Sequence, residues 1–292
     1  MAKKSNSFQI VAHITFIFLS ICVIVPFVLL VVSSITSETS LVKYGYGFFP
    51  REVDFTAYKF LLVDSHSVIR GYGVSILVTV IGTLINLILT VSFAYPLSRK
   101  DLPGRNFFSF FLFFTMLFNG GLVPTYIMWT QTFHIKNTIW ALIVPNLLMT
   151  AFYVIMVRTY FTTNVPDAII EAARIDGAGE LRILVQIILP ISMPIMATIG
   201  LLVALGYWND WLNGLYYVSS DKYYSIQVLL NKMLLNTEKI KKAAASGVNA
   251  GKVPSVSLKM AVAVMGALPI MIIYPFFQKY FVKGITIGAV KG

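Results

Sequence analysis

The chain alternates between long stretches without charged side chains and shorter segments that contain them. Six of the charge-free runs are at least 18 residues long. A helix that crosses the hydrocarbon core of a membrane needs about 20 mostly apolar residues, so each run is long enough for one crossing. The pattern predicts an all-α polytopic membrane protein with six transmembrane helices. The predicted spans are residues 10–35, 72–98, 107–130, 138–158, 184–207 and 259–280.

Composition supports this assignment. Hydrophobic residues make up 57% of the 292 residues, charged residues make up 12%, and the mean hydropathy is +0.78. A soluble protein carries about 25% charged residues, so this chain has too few to cover a soluble surface. The formal net charge of +11 fits loops that face lipid head groups better than it fits nucleic-acid binding. The single cysteine, Cys22, and three scattered histidines predict neither a disulfide scaffold nor a metal site.

The ends of the chain are expected on the cytoplasmic side. The first apolar run is longer than the ~7–15 apolar residues of a signal peptide, which favours a retained first span over a cleaved leader. Basic residues divide almost evenly between the two sides, but several crowd into the short segment 99–105, which favours a cytoplasmic position for it. Residues 207–257 then form an extracytoplasmic loop, and residues 281–292 form a cytoplasmic tail. The whole chain is expected to be one transmembrane domain.

Residues 164–179, between the fourth and fifth predicted spans, differ from an ordinary loop. Asn164 is a candidate helix cap, Pro166 suits a first helical turn, and Gly177 is a natural left-handed terminator. The sequence therefore predicts a short amphipathic helix, followed by a second apolar helix that begins near Glu180. Its expected apolar stripe consists of Ile169, Ala172, Ala173 and Ile175.

The short helix could lie on the membrane or bind another protein. A helix that lies among head groups normally carries lysines on its polar face. Here the polar face carries both signs of charge, which suits a protein partner better. Ala172 and Ala173 are expected on an exposed ridge, where small side chains would let that partner approach closely. The charged residues of the polar face are Asp167, Glu171, Arg174 and Asp176.

The same segment carries a family resemblance. Glu171-Ala172-Ala173, Gly177 and Ile187-Ile188-Leu189-Pro190 match the pattern E-A-A-x3-G-x9-I-x-L-P at every position. This pattern resembles the EAA loop of ABC importer permeases, and the surrounding residues resemble the maltose-type, carbohydrate-uptake subfamily. Further similarity to oligosaccharide permeases lies in residues 118–126, 137–142, 208–211 and 283–292. The ending resembles that of the smaller of two permease partners.

The resemblance implies a type I ABC importer fold with a cytoplasmic coupling helix, in the cytoplasmic membrane of a prokaryote. It implies a heterodimer with a second permease subunit, two ABC ATPase subunits that bind ATP and Mg, and an extracytoplasmic sugar-binding protein. This chain would import a sugar or oligosaccharide by alternating access, with no catalytic residue and no cofactor of its own. Implied ATPase-coupling residues are Glu171, Ala172, Ala173, Asp176, Gly177 and Pro190. Implied ATPase contacts in the tail are Gly284, Gly288, Lys291 and Gly292.

The sequence agrees with a role that needs a separate ATPase. Its nearest approach to a phosphate-binding loop, residues 247–252, has the wrong spacing for one. A secondary transporter is the main rival, but such proteins usually carry ionisable residues inside the membrane, and the six runs lack Asp, Glu, Lys and Arg. A membrane scaffold is a further alternative, although a scaffold has no need of an EAA loop.

Neutral polar and aromatic residues are the candidates for a substrate path. The amides of Asn86, Asn119 and Asn146 need partners in the membrane, either on another helix or on a hydroxyl-rich solute. Trp208, Trp211 and Tyr216 could stack on sugar rings or belong to an interfacial aromatic belt. Spans without fixed charge are compatible with a neutral sugar or another neutral solute.

Glycine and proline predict three local features. Gly120, Gly121 and Pro124 indicate a break in the third span. Three glycines among residues 284–292 predict an extended tail rather than a helix. Within the insert 236–257, a short lysine-rich helix is expected to end at Gly247. Its lysines are either a solvated face or a contact with the binding protein.

Overall fold

The computed structural model describes residues 6–63, 65–245 and 255–289. In these residues the regular elements are helices, and the one β-bridge joins Thr36 to Val53. The chain forms two compact units, one of residues 1–68 with 230–269 and one of residues 69–229 with 270–292. The all-α fold class predicted from the sequence is confirmed.

The α-helices range in length from 3 to 34 residues. Single π-helical turns cover Met128–Thr132 and Leu184–Ile188, and a 3₁₀ turn covers Asp221–Tyr223. The α-helices are α1 (Asn6–Ser34), α2 (Glu38–Tyr44), α3 (Thr56–Leu62), α4 (Ser65–Ser98), α5 (Arg105–Leu117), α6 (Leu122–Ile127), α7 (Trp140–Ile143), α8 (Ala151–Asn164), α9 (Asp167–Ile175), α10 (Glu180–Ile183), α11 (Leu189–Ile191), α12 (Met193–Asn209), α13 (Leu212–Tyr217), α14 (Ile226–Ala245) and α15 (Val256–Ala289).

Three helices of the described residues are long and apolar enough to cross a membrane without interruption. They contain the segments Phe8–Ser34, Ser65–Ser98 and Val256–Phe276. Two further crossings are possible if each of two bent helix pairs counts as one span. The pair Arg105–Leu117 and Leu122–Thr132 is bent by 108°, and the pair Glu180–Ile191 and Met193–Asn209 is bent by 83°.

The fourth predicted span, residues 138–158, is interrupted and is not one continuous helix. α7 ends at Ile143 and α8 begins at Ala151. Pro145 lacks the N–H that a helix would need, and Asn146 adopts a left-handed φ of 63°. The run is apolar enough to span, but these two residues end the helical backbone inside it.

Side chains from other helices bond the carbonyl oxygens of this break. Without water, a free carbonyl at membrane depth costs free energy, and irregular backbone is tolerated only where protein or a wet cavity satisfies it. The donors come from α4, α12 and α13, and all three side chains are buried. They are Asn86 Nδ2 to Leu147 O at 2.7 Å, Tyr207 Oη to Ile143 O at 2.9 Å, and Asn213 Nδ2 to Pro145 O at 2.9 Å.

The other two interruptions also follow from local backbone chemistry. α5 ends at Leu117, and Gly121, with a φ of 86°, precedes α6, which confirms the break predicted in the third span. In the fifth span Pro190 cannot donate to a carbonyl four residues earlier, and the π-helical turn Leu184–Ile188 ends two residues before it. The 83° bend follows at Ser192.

A glycine permits close packing of α4 and α12. A Cβ atom at Gly82 would lie 2.6 Å from Cε1 of Tyr207 and closer still to Cζ. Small residues at helix crossings let membrane helices approach in this way. The ring that fills this space belongs to the same Tyr207 that bonds the carbonyl of Ile143, so the helix crossing and the support of the break depend on one side chain.

In the other unit, a carboxylate caps the start of a long helix. Glu38 accepts hydrogen bonds from the backbone N–H groups of Val256 and Ser257 and from the hydroxyls of Ser255 and Ser257. The first N–H groups of α15 have no partner within the helix, and a negative charge is favourable at that end. Glu38 thereby joins α2 to α15.

The C-terminal segment corrects two predictions. α15 continues to Ala289, so residues 284–289 are helical rather than extended. Glycine weakens a helix by about 1 kcal/mol, but lengthening an existing helix avoids the cost of nucleation. The lysine-rich segment belongs to α14, which begins at Ile226 and is 20 residues long rather than short. Gly247, Lys291 and Gly292 lie outside the described residues.

We expect Gly82→Ala to destabilise the protein by about 1–3 kcal/mol, because the added methyl group displaces the Tyr207 ring from a tightly packed position. The measurement is the apparent melting temperature of the detergent-solubilised protein. Gly73→Ala is the matched control on α4, since a Cβ atom there meets nothing within 4 Å. Equal melting temperatures for the two variants would contradict the close-packing argument.

We expect Glu38→Gln to lower stability by about 1–3 kcal/mol at neutral pH, because an amide leaves some of the donors at the start of α15 unpaired. Burial raises the pKa of Glu38, but hydrogen bonds from Val256, Ser257 and Ser255 outweigh it and hold the pKa below its ordinary value of 4.5. The stabilisation by Glu38 is therefore complete above about pH 4.5 and is lost as the pH falls through the lowered pKa.

Melting temperatures of wild type and Glu38→Gln at pH 7 and pH 3.5 test this prediction. The substitution Glu171→Gln, at an exposed position, is the control. A difference from wild type that does not shrink at low pH would contradict the argument.

Candidate functional site

The short helix predicted in residues 164–179 is α9, which begins one turn later than its expected cap. Asn164 belongs to the end of α8, where its Nδ2 atom donates to the carbonyl of Tyr160 at 3.2 Å. Asn164 therefore does not cap α9. Pro166 directly precedes the helix with a φ of −64°, and Asp167 supplies a negative charge in the first turn.

The faces of α9 differ in part from the predicted pattern. Ile170 and Ala173 are buried, whereas Glu171 and Ala172 are exposed. Ala173 therefore does not lie on an exposed ridge, and only Ala172 offers a small exposed side chain there. Ile175 is 86% exposed instead of completing the buried stripe.

Gly177 ends α9 as a left-handed elbow with a φ of 79°. The backbone N–H of Ala178 donates to the carbonyl of Ala173 at 2.9 Å, and that of Asp176 donates to Ala172 at 3.0 Å. A Cβ atom at Gly177 would meet nothing within 4 Å. The requirement for glycine here is one of backbone conformation alone.

Two large apolar side chains flank this elbow and face outward. Ile175 precedes it, and Leu181, which is 75% exposed, follows it on α10. The hydrophobic pattern predicts neither the exposure of Leu181 nor that of Ile175, which was expected to close the apolar stripe of α9. One signal in the sequence could have predicted the exposure of Ile175. It lies two residues before a glycine that ends the helix, and a side chain in the last turn need not lie on the buried face. We call Glu171, Ala172, Ile175, Gly177 and Leu181 the elbow surface.

Arg174 connects the elbow to the end of α4. Its Nη2 atom donates to Oδ2 of Asp101 at 2.9 Å and to Oε1 of Glu180 at 2.7 Å, and its Nε atom donates to the same Glu180 oxygen at 3.0 Å. The hydroxyl of Tyr95, on α4, donates to the other oxygen of Glu180. One guanidinium group thus links α9, α10 and the segment after α4.

A second ion pair joins the same segments. Lys100 Nζ lies 2.9 Å from Oδ2 of Asp167. The hydrogen bond from Arg174 lowers the pKa of Asp101, and the hydrogen bond from Lys100 lowers the pKa of Asp167. Both carboxylates therefore stay ionised at any pH near neutrality. A cavity of about 500 Å³ lies among these side chains, with Tyr95, Arg99 and Leu184 in its wall.

The three asparagines predicted for a substrate path lie in different surroundings. Asn86 is fully buried, and its amide donates to the carbonyl of Leu147 in the break rather than facing a solute. Asn119 is exposed, and its side-chain oxygen accepts from the N–H of Gly121 at 2.8 Å, at the break after α5. Asn146 is exposed at the left-handed turn of the other break. Of these three asparagines, only Asn119 and Asn146 have exposed side chains.

The predicted aromatic residues also separate. Trp208 is buried, and its ring stacks on Tyr72 with 6.4 Å between centroids. Trp211 and Tyr216 are 40% and 37% exposed. The remaining predicted site residues give less information: Pro190 lies at the bend of the fifth span, Gly284 and Gly288 lie in α15, and Lys291 and Gly292 are not described. A tail contact with the ATPases stays a prediction.

The described part of the chain offers no group of three His, Cys, Asp or Glu side chains that could hold a metal ion. The glycine-containing segment 247–252 falls in the gap between residues 245 and 255 and so lies outside the described residues.

The fold is that of a known class of protein, the permease components of ABC importers. The chain belongs to the family of binding-protein-dependent transport system inner membrane components, whose sequence model matches residues 91–287. That range includes the elbow surface and Arg174. It also includes the two helix breaks at which Asn119 and Asn146 are exposed.

Curated relatives match almost the whole chain. Protein LplC of Bacillus subtilis strain 168 is 35% identical over 92% of this chain and 90% of its own length. The polygalacturonan/rhamnogalacturonan transport system permease protein YtcP of the same strain is 32% identical over 99% of this chain and 100% of its own length. A solved crystal structure is also similar, with a TM-score of 0.79 and 29% identity over 96% of this chain and 99% of that one. It is a bacterial ABC transporter involved in the import of the acidic polysaccharide alginate.

We expect Arg174→Gln to loosen α9, because a neutral amide cannot bridge Asp101 and Glu180 with charge-assisted hydrogen bonds. Hydrogen–deuterium exchange of the α9 amides should then become faster. Lys100→Gln is the control: it removes an exposed ion pair to the same helix, and such single pairs contribute little. If both variants exchange as the wild type does, Arg174 does not hold the helix.

Proposed function

We propose that this chain is one half of the translocation pathway of an importer for oligosaccharides, powered by ATP hydrolysis in separate subunits. Its partners are a second permease subunit, two ABC ATPase subunits that bind ATP and Mg, and an extracytoplasmic substrate-binding protein. Substrate crosses by alternating access, and the elbow surface and both chain termini lie on the cytoplasmic side of the membrane.

The observation that carries this proposal is the exposed elbow surface. Ile175 and Leu181 are large apolar side chains that project from a charged segment, and such exposure in a confined patch is typical of a contact site for another protein. Ala172 lies beside them and lets a partner approach the backbone. This surface is the docking site for an ATPase subunit, with Glu171 and Asp176 at its polar edge.

Movement at the elbow reaches the spans through Arg174. Its bonds to Asp101 and Glu180 join the docked segment to the end of α4 and to α10, which leads to Pro190 and the bend of the fifth span. A closing movement of the ATPases therefore displaces α4 and the fifth span together. Gly177 contributes by setting the angle between α9 and α10.

The substrate class follows from two kinds of support. Relatives carry carbohydrate names: YtcP is a polygalacturonan/rhamnogalacturonan permease, and the similar solved transporter imports alginate. In this chain, the exposed amides of Asn119 and Asn146 lie at helix breaks, where they can bond hydroxyl groups. Trp211 and Tyr216 offer exposed rings that can stack on sugars.

The test is uptake of labelled oligogalacturonides and alginate oligosaccharides into proteoliposomes that contain the complete complex, with ATP on the ATPase side. We expect ATP-dependent uptake by the wild type and a loss of roughly tenfold for Gly177→Val, because a β-branched residue resists the left-handed elbow by about 1–2 kcal/mol. Sugar-stimulated ATPase activity should fall with it.

Gly179→Val is the matched control, since Gly179 has a φ of −71° that any residue adopts and open space around it. Uptake without the ATPase subunits would overturn the proposal in favour of a secondary transporter. Wild-type uptake by Gly177→Val would overturn the coupling role of the elbow.

A further inference from the structure

An apolar cavity lies between α4 and α5, apart from the elbow surface. Its volume is about 430 Å³, and almost all of its wall is hydrocarbon. Phe93 and Leu97 contribute from α4, Phe108 and Phe111 from α5, and Met149 from the break before α8. Phe93, Phe108 and Phe111 are each about half exposed, so the cavity opens to the surroundings of the chain.

One arginine lies at the end of this cavity, and a second lies on a helix that packs against α5. Arg105 begins α5, one helical turn before Phe108, and its Nε atom donates to the carbonyl of Leu97 at 3.0 Å. Both Leu97 and Phe108 line the cavity. Arg158 lies on α8, which packs against α5, and its side chain is partly buried.

These arginines differ from the other basic residues at this end of α4. Arg99, Lys100 and Arg174 all have a carboxylate within 4 Å. No carboxylate of the described residues lies within ion-pair distance of Arg105 or Arg158. Two guanidinium groups without a carboxylate partner, on packed helices next to an apolar cavity, favour an anion that carries a hydrocarbon chain.

We propose that this is a binding site for an anionic phospholipid, with the phosphate at Arg105 and Arg158 and one acyl chain in the α4–α5 cavity. Guanidinium groups bind phosphate oxygens with paired N–H donors. The hydrocarbon wall accepts the chain without any polar contact to satisfy. The lipid neutralises the like charges and fills the space between α4 and α5, near the segment that Arg174 connects to the elbow.

The positive charge of Arg105 and Arg158 next to an apolar cavity favours a lipid over a protein as the bound molecule. A second permease subunit that covered this face would have to bring carboxylates to Arg105 and Arg158 and apolar side chains to the cavity. An anionic phospholipid brings both features in one molecule, and anionic lipids are components of the cytoplasmic leaflet of membranes.

The experiment is native mass spectrometry of the intact complex, delipidated in detergent and then titrated with phosphatidylglycerol or with phosphatidylcholine of the same acyl chains. We expect one phosphatidylglycerol to be retained preferentially at this chain. Each of Arg105→Gln and Arg158→Gln should weaken its binding about fivefold. Arg51→Gln, which removes a charge stacked on Tyr44 elsewhere, should leave binding unchanged.

A second variant tests the cavity without changing charge. Thr115→Trp places an indole in the cavity from the exposed side of α5 and should reduce phosphatidylglycerol binding while the subunits still co-purify.

Equal retention of phosphatidylglycerol and phosphatidylcholine, or unchanged binding in the double arginine variant, would overturn the proposal. Cross-linking of Phe111→Cys to the second permease subunit by a photoactivatable thiol reagent, with no lipid retained, would assign the cavity to a protein partner instead. The outcome does not depend on which solute is imported.

Discussion

The interaction on which the membrane-spanning part depends is the bonding of backbone carbonyls where a span is broken. A continuous helix bonds its own carbonyls, but the segment from Ile143 to Leu147 cannot, because Pro145 and Asn146 end the helix there. Asn86, Tyr207 and Asn213 supply the missing donors from three different helices. This arrangement holds α4, α12 and α13 around the break. It also leaves the side chain of Asn146 exposed at its turn.

A different kind of interaction governs the elbow. The ion pairs of Arg174 and Lys100 are solvent-accessible, so each contributes little to stability on its own. They contribute to geometry instead. The planar guanidinium of Arg174 bonds both Asp101 and Glu180 and so fixes the directions of α10 and of the segment after α4. Buried amides thus support the interior break, while exposed charges orient the elbow surface. The coupling role that we propose for the elbow requires movement, and contacts that exchange with water permit movement.

Much of this could be predicted from the sequence, and the errors have physical causes. Long charge-free runs located the apolar helices because membrane length imposes a minimum on them. The glycine elbow was predictable because few residues accept a left-handed conformation. The break at Pro145 was missed because a count of charges ignores backbone donors. The outward position of Ile175 and Leu181 was not readable from helical periodicity, which fails at a helix end. Residues 284–289 are helical because they extend the helix that precedes them. The extended tail was predicted from the glycines of the segment alone, without regard to that helix.

The support of the break also has a genetic consequence. The acceptors at Ile143, Pro145 and Leu147 are backbone atoms, so no substitution within the broken segment can remove them. The donors are side chains, and each can be lost by one codon change at a position more than 60 residues away in the sequence. Natural variation should therefore be tolerated in the segment that looks irregular and selected against at Asn86, Tyr207 and Asn213, each in a different helix.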